Sequence, residues 1–331
     1  MKLSILDSLE LPHGGGSNDA LRNAIALAQF GDELGLARYW ITEHHGFAHE
    51  LCPSPEVLVG ALAGATKRIS VGAGGMLLNR HNPYRIAQAF RTLEALYPGR
   101  IDLGLGRSAP GINAEAVFLR NAAGPDDHAA RVEEVLQWLS HDMAQDGPFV
   151  GMRIMPDLPP GPTPWLLGAS IGTGELAARF GAALACSGFH QPEITADIAA
   201  AYLAGFRPSS YAAAGRKPAC LIAIIAIAAE TKEEAEHLAM PIRMAFDMRI
   251  NHGVALSEAP SVEEAIAHFG GVIAAEQEDW PRRVVGSYEQ VADRIRSMGA
   301  QTSVSEVMIR PFTAELPARK DMFRNLASKL T

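Results

Sequence analysis

Cysteine is scarce in this chain of 331 residues: Cys52, Cys186 and Cys220 are odd in number, lie far apart and form no CxxC pair. That excludes a disulfide framework and a CxxC-type zinc or redox centre, and it fits a reduced cytoplasm. Basic charge is also in deficit. With 29 Lys and Arg against 37 Asp and Glu, the formal net charge is -8, which offers no footprint for nucleic acid or anionic lipid. A small molecule is the expected partner. No apolar run reaches membrane-spanning length, and Met1-Lys2-Leu3-Ser4-Ile5-Leu6-Asp7 is charged too early for a signal segment. Repeats, low-complexity stretches and a GxGxxG fingerprint after a strand are all missing.

What is present is apolar material for a large core, 48% hydrophobic residues against 20% charged, expected as a single domain over residues 1–331. The most informative stretch is Tyr39-Trp40-Ile41-Thr42-Glu43-His44-His45. An apolar run suited to burial in a parallel sheet ends in a carboxylate and two imidazoles, at the strand end where parallel α/β folds place their chemistry. The same alternation recurs. Strands are expected at 3–6, 39–42, 69–73, 101–107, 165–167, 183–187, 219–228 and 306–310. Between them, a helix follows the cap-like Ser17-Asn18-Asp19 through Leu34, burying Leu21, Ile25, Ala28 and Leu34, with Gly35 as its C-cap. Further helices are expected at 56–66, 83–96, 114–142 with a break at Gly124-Pro125, up to Phe180, 194–206, 231–250, 288–298 and at the C-terminus. Residues 147–164 hold six prolines and read as an irregular crossing, and 253–281 show weaker order. Eight strands alternating with helices point to a (β/α)8 barrel.

Four motifs carry chemistry, each beside a plainer reading. A histidine in Glu43-His44-His45 either caps a buried network or exchanges protons at the barrel mouth. Adjacent histidines on a strand face opposite ways, so a shared metal ion is not expected. Gly74-Gly75 is either a tight turn or a backbone passing close under a flat ligand, with a non-proline cis bond. Arg107, after Gly104-Leu105-Gly106, is either a surface cation or a bidentate phosphate ligand. In Gly168-Ala169-Ser170-Ile171-Gly172-Thr173-Gly174, hydroxyls three apart open a helix, as a plain N-cap or as a phosphate site built from backbone N–H groups and the helix dipole.

Taken together, the stretch from Ile41 to His45, the stretch from Ala65 to Gly72 (Ala-Thr-Lys-Arg-Ile-Ser-Val-Gly) and the stretch from Pro98 to Arg107 (Pro-Gly-Arg-Ile-Asp-Leu-Gly-Leu-Gly-Arg) resemble the bacterial luciferase-like flavin-dependent monooxygenases. The single-chain group 1 subfamily is similar in its Leu-Ser-Ile-Leu-Asp start, its Pro-Trp-Leu-Leu-Gly-x-Ser loop and the segment Val284-Val285-Gly286-Ser287-Tyr288-Glu289-Gln290-Val291-Ala292. The resemblance spans essentially the whole chain. It implies FMN on the C-terminal face of the barrel, used in reduced form with O2 through a hydroperoxyflavin to oxygenate a small organic substrate. It implies that His44 lies beside the flavin ring, with Glu43 orienting it, and that a cis bond at Gly74-Gly75 lies under the ring. Arg107, Leu167, Gly168, Ala169, Ser170 and Thr173 are implied around the phosphate. A separate NAD(P)H:flavin reductase, a homodimer and a mobile lid at 253–281 are further implications. Three departures stand out: Leu78-Asn79-Arg80-His81 carries an arginine where Leu-Pro-Asn-His is usual, Ala169 replaces a common serine, and Ser108 shifts the loop after strand four. Three rivals remain: a deazaflavin-dependent hydride-transfer enzyme, a flavin-binding protein without turnover and, last, metal-dependent hydrolysis at His44 and His45.

Overall fold

The computed structural model describes residues 1–45, 50–51, 54–107, 128–140, 150–157, 161–209, 211, 217–254, 256 and 258–330. Strands β1 (Lys2–Asp7), β2 (Arg38–Ile41), β3 (Ser70–Leu77), β4 (Ile101–Gly106), β5 (Thr163–Gly168), β6 (Ala183–Ser187) and β7 (Cys220–Ala229) pair in parallel order. A further strand, β9 (Glu306–Pro311), sits between β7 and β1, and the β6–β7 pairing completes the ring. The fold is therefore the expected (β/α)8 barrel, and its eight staves are the eight strands expected from the sequence.

Helices α1 (Ser17–Leu34), α2 (Pro55–Ala65), α3 (Pro83–Leu96), α4 (His128–Ser140), α5 (Ile171–Phe180), α6 (Thr195–Gly205), α7 (Lys232–Asn251), α8 (Val262–Phe269), α9 (Tyr288–Thr302) and α10 (Leu316–Leu330) connect and cover the strands. The helix expected over 114–142 is described only as α4, and Gly124-Pro125 lies outside the described residues, as does Ser108. Residues 150–157 run without helix or strand, as their prolines suggested.

Two elements were not anticipated. Strand β8 (Arg283–Ser287) pairs with Ile225–Ala229 of β7 beyond the point where β6 stops, extending the sheet outside the ring. Helix α8 lies within the segment of weak pattern and is fixed by a capping box, Ser261 Oγ accepting from Glu264 N–H while Glu264 accepts from Ser261 N–H. In α1 the buried face differs from expectation. Ala20, Ala24, Leu27, Ala28 and Gly31 face inward while Leu21 is exposed and Ile25 and Leu34 are half-buried. Small residues let this helix lie close: a Cβ at Gly31 would sit 3.2 Å from Ile69 Cδ1 and 3.3 Å from Ile5 Cδ1, so close approach outweighs the bulkier leucine stripe.

Side chains alternate between two cores. Ile5, Tyr39, Ile41, Val71 and Leu103 pack outward under the helices. Leu6, Trp40, Trp165, Ala183, Ala185, Leu221, Ala223 and Met308 fill the barrel, with Trp40 and Trp165 edge to face at 5.2 Å. Toward the amino-terminal end of the barrel, Arg38 donates to Asp102 (2.7 Å) and Glu306 (2.9 Å), Trp40 and Trp165 donate to Asp102 (2.9 and 3.1 Å), and Ser4 donates to Glu306 (2.7 Å). This plug closes one end of the barrel and leaves the other for chemistry.

Candidate functional site

Strand β2 ends at Ile41, and Thr42 N–H still follows the ladder to Asp7 O at 3.1 Å. The chain then releases three polar side chains at the carboxyl-terminal mouth. Glu43 is buried and fully engaged: Oε2 accepts from Leu77 N–H (2.7 Å), and Oε1 meets His45 Nε2 (2.7 Å) and His81 Nε2 (2.8 Å). One carboxylate thus ties together the ends of β2 and β3 and the turn Leu78–Arg80. Burial pushes its carboxyl up, but the hydrogen bonds and charge of His81, with those of His45 and Leu77 N–H, outweigh burial and hold it below the ordinary range.

His44 goes elsewhere. Its Nδ1 lies 2.5 Å from Glu50 Oε2 and 3.3 Å from Thr42 Oγ1. The carboxylate that holds His44 is therefore Glu50, not Glu43 as the adjacency suggested. The two neighbouring imidazoles diverge to different carboxylates, as strand alternation requires. The contact with Glu50 is a close charge contact, and the same Nδ1 has Thr42 Oγ1 as a hydrogen-bond partner.

Glu50 is one link of a longer buried chain. Arg310, at the end of β9, donates through Nη2 to Glu50 Oε1 (2.8 Å) and Glu10 Oε1 (3.0 Å). Arg319 on α10 donates to Glu10 Oε2 (2.7 Å) and Asp7 Oδ1 (3.0 Å), and Tyr39 Oη donates to Asp7 Oδ2 at 2.5 Å. Three carboxylates meet two guanidiniums, and for Glu10 burial outweighs the attraction of Arg310 and Arg319 and holds the carboxyl above the ordinary range. The excess negative charge borders His44. His190, beyond the end of β6, bonds Ser187 Oγ at 2.6 Å; desolvation by the surrounding protein, then the charges of Arg310, Arg282 and His44, push its pKa down. Glu10 and Glu50 also line a cavity of about 300 Å³ walled by Leu11, Ile242, Phe246 and Pro260.

The neighbouring strand ends carry the other expected residues. Ala73 pairs with Leu103 and Met76 with Leu105, so Gly74 and Gly75 together oppose Gly104. Their peptide bond is cis. A Cβ on Gly74 would lie 2.8 Å from Trp40 Cε3, and one on Gly75 would lie 2.8 Å from Gly104 O and 3.1 Å from Leu167 Cδ2. Protein packing alone thus demands both glycines. Leu167 also touches the Gly104 position, where a Cβ would lie 2.9 Å from its Cδ1. Arg107 leaves β4 exposed and close enough to His128 that, after desolvation, its charge helps push that histidine's pKa down.

The loop after β5 takes the N-cap conformation expected. Ser170 Oγ accepts from Thr173 N–H at 3.2 Å and lies 3.0 Å from Thr173 Oγ1. Gly168 is held to glycine because a Cβ would meet Thr173 Oγ1 at 2.5 Å. Among the described residues, a Cβ at Gly172 would find nothing nearer than Ser170 Oγ at 4.0 Å, so none of them crowds the first turn of α5 there. Two hydroxyls, a helix dipole and room above them suit a phosphate, and the flanking Arg107 and half-buried Ala169 leave that approach polar and unobstructed.

Sequence reasoning missed Glu50 as the partner of His44, Arg310 as the group that holds Glu50, and His190, whose pKa the charge of His44 helps push down. Glu50 stands six residues after His44, but no motif singled it out, and Arg310 closes β9, 260 residues after Glu50, where proximity in sequence gives no signal. The strand-terminal position of Arg310 was the one available hint.

Residues 1–306 match the family described as luciferase-like monooxygenase. A luciferase-like monooxygenase of Escherichia coli (strain K12) is 31% identical over 328 residues, covering 97% of this chain and 94% of that protein. The crystal structure of apo-MsnO8 superposes with a TM-score of 0.89 at 32% identity, covering 99% and 98% of the two chains. The oxygenating constituent of 3,6-diketocamphane monooxygenase from Pseudomonas putida, a type II Baeyer-Villiger monooxygenase in complex with FMN, shares the fold at a TM-score of 0.68 and 20% identity, covering 99% and 96%.

Proposed function

This chain belongs to the luciferase-like monooxygenase family, and from that premise we propose that it is a flavin-dependent monooxygenase using reduced FMN and O2 on a small organic substrate. The observation that carries the reading is His44 at the barrel mouth, its Nδ1 2.5 Å from the buried carboxylate of Glu50. When bound, reduced flavin supplies the electrons that activate O2, one oxygen atom going to the substrate and the other to water.

The residues fit that cofactor. Ser170, Thr173 and the first turn of α5 would hold its phosphate, with Arg107 adding charge, while Gly168 and Ala169 keep the approach clear. Gly74 and Gly75, with Leu167 packed against them, would offer a side-chain-free backbone to the flat ring. His44 would accept or donate a proton at Nε2 beside the reacting atoms, and Glu50, fixed by Arg310, places a carboxylate beside its Nδ1. Glu43 acts as a clamp, keeping His45, His81 and the β3 end in place around the mouth. The missing nicotinamide fingerprint supports a separate NAD(P)H-dependent reductase as the source of reduced FMN.

Rapid mixing of the protein and reduced FMN with aerated buffer tests the reading by absorbance, in wild type and His44→Ala. The expected result is flavin oxidation slower than that of free flavin, through a transient that decays faster in the variant. Oxidation at the free-flavin rate, or failure to bind reduced FMN, overturns it. Tight binding of a deazaflavin instead would move the chain to hydride transfer on the same barrel.

A further inference from the structure

Asp247 and Asn251 in the last turns of α7, His252 at its C-cap and His268 in the last turn of α8 come together. Asp247, His252 and His268 each place one ligand atom within 4.8 Å of the others. Both imidazoles approach the same oxygen: Asp247 Oδ2 lies 3.3 Å from His252 Nε2 and 2.8 Å from His268 Nε2. The other oxygen is occupied, since Asn251 Nδ2 donates to Asp247 Oδ1 at 2.7 Å. An outer hydrogen bond that turns one carboxylate oxygen toward two imidazole nitrogens is the arrangement that orients ligands around a metal. The rings cross at 78° with centroids 6.0 Å apart, so their nitrogens converge while their bodies diverge. Around a tetrahedral zinc ion with bonds of about 2.0–2.1 Å, ligand atoms stand about 3.3 Å apart, and the observed spacings lie within a small side-chain adjustment of that.

We propose that Asp247, His252 and His268 bind a divalent transition metal of the zinc class, with solvent completing its coordination, and that the ion ties the carboxyl-terminal ends of α7 and α8 to each other. Two imidazoles and one carboxylate suit zinc, nickel or copper better than magnesium or calcium, which take oxygen donors. The clamp also bears on the cavity beside Glu50, because Phe246, one residue before Asp247, and Val262, which opens α8, both line it. In the sequence His252 follows Asp247 by five residues and His268 comes sixteen later, a spacing that matches no ligand pattern until α8 folds back on α7. The site stands independently of the flavin reading.

The test uses the full chain without a polyhistidine tag, stripped with EDTA and titrated calorimetrically with zinc chloride. One ion per chain is expected, with affinity reduced at least tenfold in His268→Ala and in Asp247→Asn, and about tenfold in Asn251→Ala, which removes only the outer hydrogen bond. Cobalt(II) added to the wild-type chain should give a visible absorption band that the His252→Ala/His268→Ala double variant lacks. No stoichiometric zinc uptake by the wild type, or uptake undiminished in His268→Ala, overturns the proposal.

Discussion

Arg38, Asp102 and Glu306 close the amino-terminal end of the barrel, while Asp7, Glu10, Glu50, Arg310 and Arg319 run through the carboxyl-terminal end. The lower network holds one guanidinium between two carboxylates, with two indole N–H groups and a serine hydroxyl completing it, and it contains no histidine. The upper one ends on His44, and a second cluster, Glu43 with His45 and His81, stands beside it. Histidine is the residue type whose charge changes between about pH 5 and 8. Buried charge is costly at both ends, and each network holds one more carboxylate than guanidinium; below, two indole N–H groups and a serine hydroxyl satisfy the surplus, whereas above the chain of charges ends beside an imidazole. Barrels of this kind generally divide stability and chemistry between their two ends, and the proposed site follows that division.

The comparison breaks most readily at the lower end. Asp102→Ala leaves Arg38 and two indole N–H groups without their acceptor, and urea unfolding should report a loss of about 3–5 kcal/mol. A loss under about 1 kcal/mol would mean that this plug is dispensable, since that is no more than one ordinary hydrogen bond. At the upper end, Glu50→Gln keeps the shape and removes the charge that grips His44. A charge-assisted hydrogen bond is worth about 1.5–3 kcal/mol, so the transient seen on mixing reduced FMN with oxygen should decay at least about tenfold faster, with the unfolding midpoint little changed. An unchanged decay would remove Glu50 from the account of His44.

Between the two networks, Gly75→Ala forces a Cβ against Gly104 O and Leu167. Calorimetry should show destabilisation of about 1–3 kcal/mol, the usual cost of overpacking, together with weaker binding of reduced FMN. The smallest effect concerns acid. Glu43 has its folded pKa lowered, so its contribution is complete above the ordinary glutamate value of about 4.3 and is lost as pH falls below that value through the folded one. Wild-type stability should therefore decline below about pH 4.3 more steeply than that of Glu43→Gln, measured as urea midpoint against pH. Parallel slopes would show that His45 and His81 do not hold this carboxylate in its charged form.

Much of this architecture was legible because parallel strands buried on both faces leave continuous apolar runs, and all eight staves announced themselves that way. The β8 strand did not, because Arg283 to Ser287 is short and pairs only with the far end of β7. The inward face of α1 was misjudged because side-chain size was weighed above close approach, whereas Ala24, Ala28 and Gly31 make the contact. At the proposed site, two local features could be read from their motifs, the cis bond at Gly74-Gly75 and the α5 cap formed by Ser170 and Thr173. Partnership could not be read. Glu43 is adjacent to His44 in sequence but binds His45 and His81, and the carboxylate on His44 comes from Glu50.

By itself, then, the sequence determined the barrel and the residue types gathered at the carboxyl-terminal ends of its strands, because hydrophobic periodicity and strand-end placement are local properties. The tertiary structure alone decided which charges meet. Arg310 and Glu10 are 300 residues apart and Arg319 and Asp7 are 312 apart, and only ring closure brings β9 against β1. The same holds for Asp247, His252 and His268, which one helix packed against another turns from scattered polar residues into a cluster around a single oxygen.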